Sequence, residues 1–222
     1  MTVPVRSLHF ADAREAEDLS AFLARLIHYD RAAAVRLQAG GGALAVFGRP
    51  PSFEVLAIRT ARLDHPVELD VTVSAGELLE SFGDGAEFTV PAPVTGPPWA
   101  GLLPPRGGWR KLPGLPEVSA MRAAVSAAVS EFRTRDEALP AERRTRAERD
   151  RIGREIWSRT VGGTGLPLRA VHAAQSLGFL RPGVPVALLS AGSWLRLRTP
   201  FGSIAVRING LGGLSLTPQQ PA

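Results

Sequence analysis

The sequence predicts an α+β fold: an N-terminal antiparallel sheet with covering helices, then a C-terminal helical module ending in a short β meander. Three observations predict it. Apolar residues recur at three- and four-residue spacing in some segments and alternate in others, so both helices and strands are present. Consecutive strand-like segments are separated by short Gly or Pro turns, which calls for antiparallel pairing. Hydrophobic residues make up 45% of the 222 residues and charged residues 21%, which suits a chain with a buried core and rules out disorder as the dominant state.

Residues 12–28 read as a helix, because Ala16, Leu19, Phe22, Leu23, Leu26 and Ile27 form one apolar face and Asp12 with Glu15 forms a capping box. Strands follow at 32–38 and 43–47, joined by Gly40-Gly41-Gly42. After the turn Arg49-Pro50-Pro51-Ser52, residues 53–63 read as a longer strand, and His65-Pro66 turns again. Val67, Leu69, Val71 and Val73 alternate as the clearest strand of the chain. Ser74 then caps a short helix over 75–82.

Residues 84–108 read as a linker, since prolines 91, 93, 97, 98, 104 and 105 favour extended backbone. Phe88, Val90, Trp99, Leu102 and Leu103 are interleaved, so part of it should pack. Beyond it, residues 116–135 read as a helix with Val118, Met121, Val125, Val129 and Phe132 on one face. Pro140 opens an arginine-rich helix over 141–159, Gly162-Gly163-Thr164-Gly165 breaks the chain, and a short helix runs over 167–177 to Gly178 as its cap. Strands at 184–189, 194–198 and 203–208 form the meander. No internal repeat is evident. The expected organisation is an acidic α+β domain at 1–83, the linker at 84–108, a basic helical domain with its hairpin at 109–210, and a flexible tail at 211–222.

Charge divides the same way. Residues 1–108 carry 9 arginines against 13 carboxylates, a net of −4; residues 109–222 carry 17 basic residues against 8 acids, a net of +9. Such asymmetry points to an anionic partner for the basic half and a protein partner for the acidic half. Lys111 is the only lysine, and Asn209 the only asparagine, a usage produced by a GC-rich, bacterial coding sequence.

The absence of cysteine excludes disulfides, thiolate metal sites and a cysteine nucleophile. Residues 1–10 hold no apolar run for a signal peptide, and no stretch of about 18 apolar residues occurs, so a cytoplasmic protein without membrane contact is expected. The four histidines are scattered without metal-ligand spacing, and there is no Gly-x-Ser-x-Gly elbow, so no catalytic residue, metal ligand or cofactor is assigned.

The candidate sites are therefore nucleic-acid contacts. Arg143, Arg144 and Arg146 open the arginine-rich helix and could grip phosphate. The acids at four-residue spacing (Glu142–Arg146, Arg144–Glu148, Asp150–Arg154, Arg151–Glu155, Glu155–Arg159) fit a self-paired, solvated helix better. The element order also resembles the latter part of a winged helix-turn-helix domain. In that reading 167–177 is the recognition helix, with Arg169 and His172 among its polar positions. Trp194, Arg196 and Arg198 alternate along one face of the following hairpin, where they could cover phosphate or stack on a base. The expected function is a non-enzymatic binding protein, with an acidic protein-interaction module and a basic module contacting nucleic acid or another polyanion. The alternative is an assembly protein that forms oligomers or docks on a larger complex, its arginines engaged only in ion pairs.

Overall fold

In the computed structural model, which describes residues 6–51, 53–83 and 86–208, the chain opens with β1 (Ser7–His9) and α1 (Ala13–Tyr29). Asp12 caps α1 by accepting from the Arg14 and Glu15 N–H groups, and Leu19, Phe22, Leu23 and Leu26 are buried on its apolar face. The meander β2 (Ala34–Gly40), β3 (Ala43–Gly48) and β4 (Leu56–Arg62) follows, and β5 (Leu69–Ser74) returns to pair with β2. Ser74 caps α2 (Ala75–Glu80), after which β6 (Glu87–Thr89) pairs with β1. The second half comprises β7 (Arg110–Leu112), α3 (Val118–Glu137), α4 (Arg146–Trp157), α5 (Leu168–Ser176), β8 (Ala187–Ala191), β9 (Trp194–Thr199) and β10 (Gly202–Arg207).

Eight of these strands form one antiparallel sheet in the order β5-β2-β3-β4-β10-β9-β8-β7. The halves meet at its centre, where Ala57 of β4 lies opposite Ile204 of β10. Each half contributes a helix followed by a three-stranded meander, α1 before β2–β4 and α5 before β8–β10. The same arrangement arises from unlike sequences because it needs only an apolar helix stripe and period-two strands. The helices cover one face of the sheet, and the main core, which includes Leu23, Leu37, Val125, Val171, Leu197 and Ile204, lies between.

Strand alternation turns Phe47, Leu56, Ile58, Trp194 and Ala205 to the opposite face, where they form a second core with Trp99, Leu103 and Trp109. Trp99 and Leu103 come from the stretch read as a linker, and Trp109 directly follows it. That stretch packs as a strap. At the β5 edge the Val94 N–H donates to the Thr72 carbonyl at 2.9 Å. A 3₁₀ turn at Pro98–Gly101 follows, and the Arg36 guanidinium donates to the Ala100 carbonyl at 2.6 Å. The Trp109 Nε1–H donates to the Pro105 carbonyl, and β7 then pairs with β8 at the other edge. Proline suits this path: it favours extended backbone, and the N–H it lacks would have no sheet partner along most of the strap.

Two further expectations change. The arginine-rich helix begins at Arg146, capped by Thr145, after a separate 3₁₀ turn at Ala141–Arg143. The winged-helix arrangement does not form: β9 is flanked by β10 and β8 inside the sheet, leaving no projecting wing, and α5 buries Leu168, Ala170, Val171, Ala173 and Ala174. Gly178, at φ +73°, ends α5 as expected. The tail at 211–222 lies outside the described residues.

Candidate binding face

The expected contact residues fall in three separate places. Arg143, Arg144 and Arg146 sit at the α3–α4 turn. Arg143 pairs with Glu148 at 3.1 Å, and Arg146 lies 3.8 Å from Asp150. Arg144 donates to the Leu139 and Glu137 carbonyls, so it caps the end of α3. The rest of α4 is tied to α3 through Arg149–Asp136 and Arg135–Glu155, both at 2.7 Å, and Arg159 bonds Glu131 just beyond the helix end. Hydrogen bonding from Arg135 pulls the Glu155 carboxyl down to about 2. Of the five expected intrahelical pairs, only Glu155–Arg159 lies within 4 Å among the described residues, at 3.5 Å. The helix is ion-paired, but mostly through other partners than the acid spacing implied: two pairs lie within α4, two reach α3 and two involve the flanking Arg143 and Arg159.

Arg169 and His172 occupy the second place, on the inner side of α5. Arg169 Nε lies 4.0 Å from Glu54, and the His172 ring stacks on Trp157 at 4.5 Å with Phe53 edge-on at 5.0 Å. Burial lowers the His172 pKa, so the ring is neutral at pH 7. Neither side chain is arranged to enter a groove.

Trp194, Arg196 and Arg198 occupy the third place, on the strap face. Trp194 is 9% exposed. The half-buried Arg196 donates to Ser203 Oγ at 2.8 Å and lies over the Trp109 ring at 5.7 Å; desolvation, then Arg198, lowers its pKa, and it remains a cation. Arg198 is exposed. Strand register brings Arg207, opposite Trp194, and Lys111, opposite Leu189, to this same face.

Three clefts open along the strap. One of about 320 Å³ is lined by Trp99, Leu102, Leu56, Trp194 and Ala205, with Arg49, Arg207 and Glu54 also at its walls. Glu54 holds the left-handed conformation at φ +52°, which is uncommon for a residue with a side chain. A neighbouring cleft of about 460 Å³ shares Arg49 and Trp99 and reaches Asp30, with no histidine in its lining. The third, about 360 Å³, lies beneath Pro104, Pro105 and Arg106 and reaches Arg196. Six cations on this side (Arg49, Arg106, Lys111, Arg196, Arg198 and Arg207) have no carboxylate within 4 Å among the described residues. Arg36 is the exception, held by Asp70 while it anchors the strap.

Sequence reasoning missed Arg49, Trp99 and Trp109 as site residues. They come from separate segments, and only Trp99, an apolar residue interleaved with prolines, carried a signal. Among the described residues no group of three or more His, Asp or Glu could hold a metal, and no helix is long and apolar enough to cross a membrane.

Residues 3–101 match a family model described as a domain of unknown function (DUF8010), and residues 104–211 match a second domain of unknown function (DUF8185). Two domains are thus suggested by similarity, with the division falling inside the strap. No curated protein matches the chain.

Proposed function

We propose that this is a non-catalytic binding protein that takes a polyanion on the strap-covered face of its sheet. The single observation carrying this reading is that six cations without a carboxylate partner among the described residues share one face of the sheet with exposed aromatic clefts. Arg146, Arg149 and Arg151 of α4 each pair with a carboxylate, whereas six strap-face cations have no such partner among the described residues. An unpaired arginine on a face that also offers aromatic surface is suited to phosphate. Trp194, Arg196 and Arg198 stay in this reading, while Arg143, Arg144, Arg146, Arg169 and His172 take structural roles.

The test is anisotropy with labelled DNA and inorganic polyphosphate over a salt series. Binding should weaken steeply with salt, and Arg198→Ala with Arg207→Ala should reduce the log–log slope by about 1.4, at ~0.7 per single-strand phosphate contact. Alanine at Arg143, Arg144 and Arg146 should leave affinity within about twofold, since they stand at the α3–α4 turn, apart from the strap face. Absence of binding at low salt removes the proposal.

The ion-paired α3–α4 unit favours a second reading, an assembly protein that docks on a larger complex or on itself. Light scattering separates the two: a strict monomer that binds DNA leaves self-assembly without support.

A further inference from the structure

We infer that the polyanion is a single-stranded nucleic acid, one base of which enters a slot beside the half-buried Trp99 and stacks on its indole. The inference rests on the polyanion reading of the strap face. Trp99 comes from the strap, and with Leu102, Leu56, Ala205 and the edge of the buried Trp194 it lines the cleft of about 320 Å³. A slot with an accessible indole and aliphatic lining takes a flat heterocycle, because stacking on an aromatic ring accepts any base. Arg49 and Arg207 share the cleft wall and place cations where the flanking phosphates would run. Glu54 on the same wall repels phosphate and can accept from an exocyclic amine, which directs the backbone toward the arginines.

Charge and shape together decide the class. A duplex keeps its bases stacked inside and offers none to the slot. An acidic peptide satisfies the arginines but has no flat apolar group to fill the slot. A strand that followed the strap would next meet the third cleft, where Arg106 and Arg196 stand with Trp109 nearby, so cation and aromatic surface recur along one path.

The experiment uses the full chain with four probes: a labelled single strand of about 12 nucleotides, within the range that such sites cover, the same strand without bases, a duplex, and poly-glutamate. The base-bearing strand should bind about tenfold tighter than the abasic one and quench tryptophan fluorescence. Trp99→Ala should remove that preference while abasic binding stays within about twofold, and Trp99→Leu, which keeps the strap packed, should do the same. Equal affinity for base-bearing and abasic strands overturns this inference and leaves the polyanion reading standing. Tighter binding of poly-glutamate, or of duplex, also overturns it, and identifies an acidic protein or double-stranded partner. No binding of any probe at low salt overturns both.

Discussion

Trp194→Ala tests how the strap face is held together. The indole packs with Phe47, Leu56, Ile58 and Ala205, with Trp99, Leu103 and Trp109 against the same cluster. A buried tryptophan removes ~150–250 Å² from water, and at ~25 cal/mol per Å² that amounts to about 4–6 kcal/mol as an upper bound. Alanine leaves a gap that borders an open cleft, so water can enter and the strap can settle. The expected loss is therefore near the lower end of the ~3–5 kcal/mol typical of large aromatic truncations. Stabilities of ~5–15 kcal/mol are usual, so the variant should still fold. Urea unfolding followed by far-UV circular dichroism measures the difference, and Trp194→Phe should recover more than half of it. A loss below about 1 kcal/mol at unchanged slope would refute the packing argument, because the indole would then be replaceable by solvent.

Gly202→Ala should cost about 2–5 kcal/mol, combining overpacking with backbone strain. Gly202 sits at φ +149°, and a Cβ there would lie 2.5 Å from a ring carbon of the buried Phe179; an unchanged melting temperature would contradict this. Glu155 is held at about 2, below its usual 4.5, chiefly by hydrogen bonding from Arg135. Its stabilising contribution is complete above 4.5 and is lost as pH falls through about 2. Thermal melts across that acid range should be flatter for Glu155→Gln, and identical profiles would show that the α3–α4 pair is fully solvated. His172, lowered by burial from 6.5, binds its proton more readily when unfolded, so stability should be full above 6.5 and decline as pH falls toward the folded-state value. His172→Phe keeps the stack on Trp157 and should remove that part of the decline, which denaturant midpoints from about pH 8 to 5 would reveal.

Much of the local structure was legible. The Asp12 cap, the Ser74 cap and the Gly178 terminus are side-chain or backbone rules that act within a few residues, and each element they bound forms where it was expected. The three-residue strands β1, β6 and β7 were not, because so few residues show no alternation and their partners are distant. Of the site, the alternation of Trp194, Arg196 and Arg198 could be read, since it follows from strand geometry alone. Its packing with Trp99 and Trp109 could not, because apolar residues in and just after a proline-rich stretch show that it packs but not against which strand.

The sequence alone determined the fold class, the caps, the helix and strand faces, and that acids are interspersed among the arginines of residues 141–159. These depend on spacings of about one to four residues, within which covalent geometry sets who can meet whom. Tertiary structure decided that the two halves share one sheet through β4 and β10, that the proline-rich stretch lies across its second face, and that α5 is a core helix. It also decided which cations are left without carboxylates. An arginine's partner can come from any segment that packing brings within about 4 Å, as Arg135 finds Glu155 across two helices while Arg207 finds none among the described residues. That choice is made by the packed whole, and no spacing along the chain records it.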